Sequence, residues 1–326
     1  MEVQIRHDIV FYEAFQEEAE ILRTLFGSET KIHLTPQTIQ ESGDRTPPAR
    51  LVSIRTQSII PEPWHGQLSG ILSRSTGYDH LLAYRQKTGT NLPLGYLEEY
   101  STRAVAEHAL LLVLALLRKL PLQIRQFPMF QRDGLTGSEL IGRKILIVGV
   151  GRIGGEIVRL MTALGADVRG IDLTPNKPGV TYVSRREGIP WAEVIISAMN
   201  LTQENVGYFS YDLLRSARRG VMFVNIARGE HAPLVHLGQL LAEGVLAGIA
   251  LDVFEDEGPL AAALRDPSAH SSPFVQTLKK LLASPNVICT PHNAFNSCEA
   301  LRRKCTMTRE QIDYFAAHGC FQWQLA

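Results

Sequence analysis

Lys144-Ile145-Leu146-Ile147-Val148-Gly149-Val150-Gly151-Arg152-Ile153-Gly154 decides the fold of this chain. The unbroken apolar run Ile145–Val148 fits a parallel strand covered on both faces. Alone, a G-x-G-x-x-G is weak evidence. Here a strand precedes it, a helix follows, and a second apolar strand, Val168–Ile171, ends in the acidic Asp172, the context of a dinucleotide site. Gly149 permits the tight turn, Gly151 lets a pyrophosphate approach the backbone, and Gly154 lets the helix pack close to the strand. Arg152 and Ile153 open that helix, whose free amides and positive dipole end face the phosphates. Asp172 stands where a carboxylate accepts from a ribose 2′-hydroxyl, which favours NAD and repels a 2′-phosphate.

Downstream the strand–helix alternation continues. Strands are expected at Val194–Ala198, Met222–Ile226, Ile249–Val253 and Val287–Cys289, with helices over Gly155–Leu164, Tyr211–Ala217 and Leu234–Ala242. That order specifies a doubly wound α/β sheet. Upstream, Ile9–Tyr12, Lys31–Leu34, Leu51–Ile54 and Gly70–Arg74 are expected strands of a smaller α/β unit. Its first helix, Ala14–Phe26, carries Phe15, Ala19, Leu22 and Phe26 on one face. Between the two halves a helix is expected from Thr102 to Leu120, N-capped by Ser101 and ended by Pro121. It is apolar nearly all round and so should be buried on most sides, at a domain or subunit interface.

Composition narrows the function classes. The chain has 326 residues, long enough for two domains, and 33 basic side chains balance 33 acidic ones. That balance gives no electrostatic footprint for nucleic acid or an anionic membrane. The longest apolar run, Ala109–Leu117, is roughly half of the ~20 residues needed to span a bilayer, and Met1–Val10 is too polar for a secretory signal. Cys289, Cys298, Cys305 and Cys320 form no C-x-x-C pair, so no metal site is expected and reduced thiols in a cytoplasmic protein are.

Three chemistry-bearing residues each follow a different strand of the same sheet: Arg228 after Phe223–Ala227, Glu257 after Ala250–Phe254, and His292 after Val287–Pro291. Ligands of open α/β sheets bind outside the carboxyl ends of strands, so the three can converge on a nicotinamide. Arg228 can hold a carboxylate with two parallel N–H bonds. His292 can protonate a developing alkoxide as hydride arrives and take the proton back in reverse. Glu257, bonded to the imidazole, would favour its charged form.

These stretches, together with Ser73-Arg74-Ser75-Thr76-Gly77-Tyr78-Asp79-His80, Tyr100–His108 and Thr290-Pro291-His292-Asn293-Ala294-Phe295, resemble the D-isomer-specific 2-hydroxyacid dehydrogenases over nearly the whole chain. The resemblance implies a flavodoxin-like substrate domain of residues 1–101 and 296–326 with an NAD-binding Rossmann domain, 102–295, inserted into it. It implies Arg228 as carboxylate and carbonyl clamp, His292 as acid/base and Glu257 as its partner. Backbone amides of Thr76 and Gly77 would hold the substrate carboxylate. Cofactor contacts would fall at Asn200, Ala227 and Asp252, the last bonding the nicotinamide carboxamide. Tyr100 and Phe295 resemble active-site aromatics of the D-lactate dehydrogenase branch, which implies a small pyruvate-like 2-keto acid, and such enzymes resemble homodimers built around the helix after Tyr100.

Two features depart from that pattern or extend it. Asn200 stands where a proline is common. Gly258–Asn286 is a long connection containing Arg265, Asp266, His270, Phe274 and Leu278, expected to decorate the domain rather than cover the cleft. Arg55, after a strand of the smaller unit, is expected at the surface. Fold does not fix function, so an NAD-sensing co-repressor-like protein on the same scaffold is one alternative. Phosphite oxidation is another; the formate branch resembles this chain but carries glutamine at the place of Glu257.

Overall fold

Short apolar runs become parallel strands in both halves of the chain. The computed structural model describes residues 8–265 and 273–325. It separates into two units, one made of the described residues up to Ser101 and from Asn296 onward, the other of Thr102–Phe295.

In the first unit, β1 (Ile9–Phe11), β2 (Ile32–Leu34), β3 (Leu51–Ile54), β4 (Gly70–Ser73) and β5 (Leu94–Gly95) form one parallel sheet. The order is β2-β1-β3-β4-β5, that of flavodoxin-like folds. β5 is too short to read from sequence. Its open edge is covered by the C-terminal tail, where Leu325 N–H donates to Leu94 O at 2.9 Å and Tyr96 N–H donates to Trp323 O at 3.1 Å. The first helix runs Gln16–Phe26, two residues shorter than its periodicity predicts, and packs on the Cys298–His318 helix. Phe15, expected on the apolar face, precedes the helix and is exposed; the Arg55 guanidinium lies 5.2 Å from its ring centroid.

In the second unit, β6 (Lys144–Val148), β7 (Asp167–Ile171), β8 (Thr181–Tyr182), β9 (Val194–Ser197), β10 (Val221–Asn225), β11 (Leu246–Leu251) and β12 (Val287–Cys289) form a wholly parallel sheet in the order β12-β11-β10-β9-β6-β7-β8. Strand order reverses between β6 and β9, so a crevice is expected beyond their carboxyl ends. Ile145, Leu146 and Ile147 are fully buried, each stabilising the core by roughly 1.5–3 kcal/mol.

Two expectations are corrected. The long helix stops at Leu117, not Leu120, and Pro121 lies in the first turn of a second helix, Leu120–Gln126. Proline is tolerated there because the first amides of a helix have no intrahelical acceptor. Nine of its sixteen residues are buried within the chain, while Leu111 and Leu114 are exposed on the remaining face.

The 258–286 connection is not a loop. Among the described residues it holds the helices Glu257–Arg265 and Pro273–Leu282, whose Leu260, Val275, Leu278 and Leu281 join the main core of the unit. At about 2 kcal/mol for each buried side chain, that anchors the segment to the domain body. Asp266 and His270 lie outside the described residues.

Candidate active site

The glycine loop leaves β6 against the segments that follow β7 and β9. Gly149 has φ +93°, and a Cβ there would lie 2.7 Å from Ala198 C. A Cβ on Gly154 would lie within 1.9 Å of Gly149 O, so close packing of the Arg152–Ala163 helix on the loop demands glycine. Gly151, the N-cap of that helix, differs: its φ is −74° and a Cβ would meet no protein atom within 4 Å. No side chain caps this helix end. Its first amides, including those of Arg152 and Ile153 in the first turn, therefore suit an anion. Asp172 fixes the loop, accepting from Val150 N–H at 2.6 Å and from Thr174 N–H at 2.8 Å. Both oxygens of Asp172 are thus engaged by backbone amides on the loop's protein side while no side chain caps the helix, and the residues present fit a dinucleotide.

The two glycines separate experimentally. Gly154→Ala should destabilise the protein by about 1–3 kcal/mol, because backbone must shift. Gly151→Ala should leave stability within about 0.5 kcal/mol yet weaken NADH binding at least tenfold, about 1.4 kcal/mol. Denaturant titration and NADH fluorescence measure both. Wild-type NADH affinity in Gly151→Ala would contradict the assignment of that position to the pyrophosphate.

Arg228, Glu257 and His292 follow β10, β11 and β12, which are adjacent in the sheet. Asn225, at the end of β10, staples the first turn: its side-chain amide donates to Arg228 O at 2.8 Å and its oxygen accepts from Ala227 N–H at 3.2 Å. The half-buried Arg228 side chain donates to Ala227 O at 2.8 Å. A Cβ on Gly229 would lie 1.9 Å from Phe254 C, so the Arg228 turn is pressed directly onto the turn that carries Glu257. Glu257 opens its helix and is held by Phe254 N–H, which donates to Oε1 at 3.2 Å.

Its other oxygen, Oε2, lies 2.7 Å from His292 Nδ1. A carboxylate only accepts, so Nδ1 carries the hydrogen and Nε2 is the nitrogen left for proton exchange. His292 has φ +48°, a conformation few non-glycine residues adopt.

Asp252, 1% exposed, serves chiefly this last turn. It accepts from Thr290 Oγ1 at 2.5 Å and from the amides of Asn293 and Ala294, each at 2.9 Å. Three of its roughly four acceptor positions are thereby taken. Asn200 is exposed and its carbonyl accepts from the Asn205 side chain at 2.7 Å.

In the first unit, Thr76 and Gly77 follow β4, and Ser75 Oγ donates to Gly77 O at 2.7 Å, fixing that peptide. Tyr100 is buried, and its carbonyl accepts from Arg303 Nε at 2.9 Å. Phe295, in the second unit, packs on the cluster containing Ala294 and Ile226. Sequence reasoning assigned no role to Asn225, Thr290 or His108. The one local signal was a polar residue closing an apolar strand at Asn225. No three histidines, cysteines or carboxylates among the described residues are grouped to hold a metal, and no described helix is long and apolar enough to cross a membrane.

A seven-stranded parallel sheet with a glycine loop at its switch point, and an imidazole–carboxylate pair on a neighbouring edge, defines a nucleotide-dependent dehydrogenase. Residues 110–294 match the family model described as D-isomer specific 2-hydroxyacid dehydrogenase, NAD binding domain. The chain is 32% identical over 228 residues to 2-hydroxyacid dehydrogenase homolog 1 of Schizosaccharomyces pombe, covering 68% of each chain. It is 32% identical over 240 residues to the D-lactate dehydrogenase of Treponema pallidum (strain Nichols), covering 70% of each. Its fold is that of the crystal structure of D-lactate dehydrogenase from Aquifex aeolicus complexed with NAD and lactic acid, with TM-score 0.84, 23% identity and 96% of each chain covered. The chain belongs to the D-isomer specific 2-hydroxyacid dehydrogenase family, an oxidoreductase whose cofactor is NAD.

Proposed function

We propose that this enzyme reduces a small, pyruvate-like 2-keto acid to the D-2-hydroxy acid. The observation that carries the reading is the 2.7 Å pairing of His292 with Glu257 on the strand edge beside the Arg228 turn. NAD, when bound, supplies the hydride in one direction and accepts it in the other. Arg228 clamps the substrate carboxylate and carbonyl. His292 Nε2 delivers a proton to the carbonyl oxygen, and Glu257 stabilises the imidazolium that must exist beforehand. Thr76, Gly77, Tyr100 and Phe295 are proposed substrate contacts, and Gly149, Gly151, Arg152, Ile153, Gly154, Asp172, Asn200, Ala227 and Asp252 cofactor contacts. Residues 1–101 and 296–326 form the substrate domain in this reading. Relatives named D-lactate dehydrogenase support a small substrate, and four free cysteines suit a cytoplasmic setting.

NADH oxidation against pyruvate, phenylpyruvate, 2-ketoisocaproate, hydroxypyruvate and glyoxylate tests the substrate class. The highest kcat/KM is expected for pyruvate. Arg228→Lys should lower kcat/KM for the preferred acid about 100-fold, since an ammonium cannot form the paired bonds. Equal, negligible turnover of all five acids by the wild-type enzyme would refute the reading.

We also propose a homodimer. Leu111 and Leu114 on the Thr102–Leu117 helix are exposed, as are Ile124 (64%), Phe127 (72%), Met129 (64%) and Phe130 (69%) just beyond it, a succession of apolar side chains rarely left to water. Sedimentation should give a dimer for the wild type and a monomer for an Ile124→Glu, Phe127→Glu double variant. A monomeric wild type at micromolar concentration would end the proposal.

A further inference from the structure

We infer that His108, together with Thr290, is a positioning residue for His292. The inference rests on the acid/base reading of His292 and extends it to a residue on the Thr102–Leu117 helix, far away in sequence. His292 sits at φ +48°, so its imidazole is presented from a backbone conformation that surrounding bonds must enforce. Those bonds converge on Asp252. Its carbonyl accepts from His292 N–H at 2.8 Å, and its carboxylate accepts from Thr290 Oγ1, Asn293 N–H and Ala294 N–H. One buried carboxylate thus grips residues on both sides of His292.

The outer end of this clamp is His108. Its Nε2 lies 3.1 Å from Thr290 Oγ1 and 3.6 Å from Asp252 Oδ1. The hydroxyl has a single hydrogen, and the carboxylate can only accept, so that hydrogen goes to Asp252. Thr290 Oγ1 must then accept from His108, which fixes the hydrogen of His108 on Nε2. A directed chain results, from His108 Nε2–H to the Thr290 hydroxyl and on to Asp252. Without the donor, the Thr290 rotamer loses one of its two restraints. The turn can then relax away from the left-handed conformation, and the imidazole moves relative to Glu257. Misplacement by about an ångström is enough to lower turnover about 100-fold.

Steady-state kinetics and NADH fluorescence on the full-length enzyme test this. His108→Leu should lower kcat 10- to 100-fold, with the NADH dissociation constant changed less than threefold. His108→Gln, whose amide can donate from nearly the place of Nε2, should recover most of the loss. Thr290→Val should match His108→Leu, and Thr290→Ser should behave as wild type, so the test stands even if one leucine variant fails to fold. Wild-type kcat in both His108→Leu and Thr290→Val overturns the inference. So does a His108→Gln variant as slow as His108→Leu, or a loss confined to NADH affinity. His292→Ala separates the two claims: if it is inactive while His108→Leu is normal, only the positioning role falls, whereas an active His292→Ala removes the acid/base reading itself.

Discussion

His292→Ala is expected to lower kcat by roughly 10²- to 10⁴-fold, the usual contribution of one placed proton donor, while the NADH dissociation constant changes little. His292 is bonded to Glu257 by Nδ1 and to Asp252 and Thr290 by its backbone amide, and alanine keeps the latter two bonds. The loss should therefore fall on proton transfer. Glu257→Gln should cost less, about tenfold, because the amide oxygen still accepts from Nδ1 but no longer stabilises the imidazolium by charge. Stopped-flow reduction of pyruvate with NADH measures both. A His292→Ala enzyme with wild-type turnover would leave the imidazole without a chemical task.

Much of the nucleotide unit was legible because its signals are local. A strand, three glycines and an acidic strand end lie within Lys144–Asp172, and each glycine's role depends on neighbours a few residues away. The strands β6, β9 and β12 were readable as apolar runs. Two-residue strands such as Thr181–Tyr182 were not, since no periodicity fits in two positions. The 258–286 segment misled for another reason. Gly258, Pro259 and the Asp266-Pro267 pair are punctuation marks, and the amphipathic spacing of Val275, Leu278 and Leu281 lies beyond them.

The site was legible to the extent that residue types and strand ends are. Arg228, Glu257 and His292 could each be placed after a strand, but their adjacency depends on strand order, a non-local property. The supports were hidden for the same reason. His108 and Thr290 are 182 positions apart, and nothing near either one announces the other. Asp252 was visible as a strand-end acid, yet its three donors come from the turn after the next strand.

The largest expected loss of stability lies away from the active site, at Glu18. This side chain sits on the buried face of the Gln16–Phe26 helix beside Ala19 and Leu22, an acid where an apolar residue would be ordinary. Arg74 Nε lies 2.7 Å from one oxygen and Lys304 Nζ 2.8 Å from the other, and all three side chains are essentially inaccessible. Burial alone would raise the carboxyl, but the guanidinium and ammonium outweigh it and hold its pKa at about 2; burial pushes Lys304 down to about 8 against the pull of Glu18. Removing the carboxylate takes from two buried cations the anion they share. Glu18→Gln should therefore destabilise the protein by about 3–5 kcal/mol, and adding Lys304→Met should recover part of that by removing one of those charges. The sign of the acid response follows from the same group. The folded pKa lies below the ordinary 4.5, so its contribution is complete above about 4.5 and disappears as pH falls toward about 2. Wild type should lose stability steeply across that window, and Glu18→Gln less so. Denaturant titrations at neutral pH and between pH 5 and 2 measure both effects. A Glu18→Gln protein within 1 kcal/mol of wild type, or one with an unchanged acid slope, would mean that Arg74 and Lys304 are compensated elsewhere and that Glu18 is not the centre of the cluster.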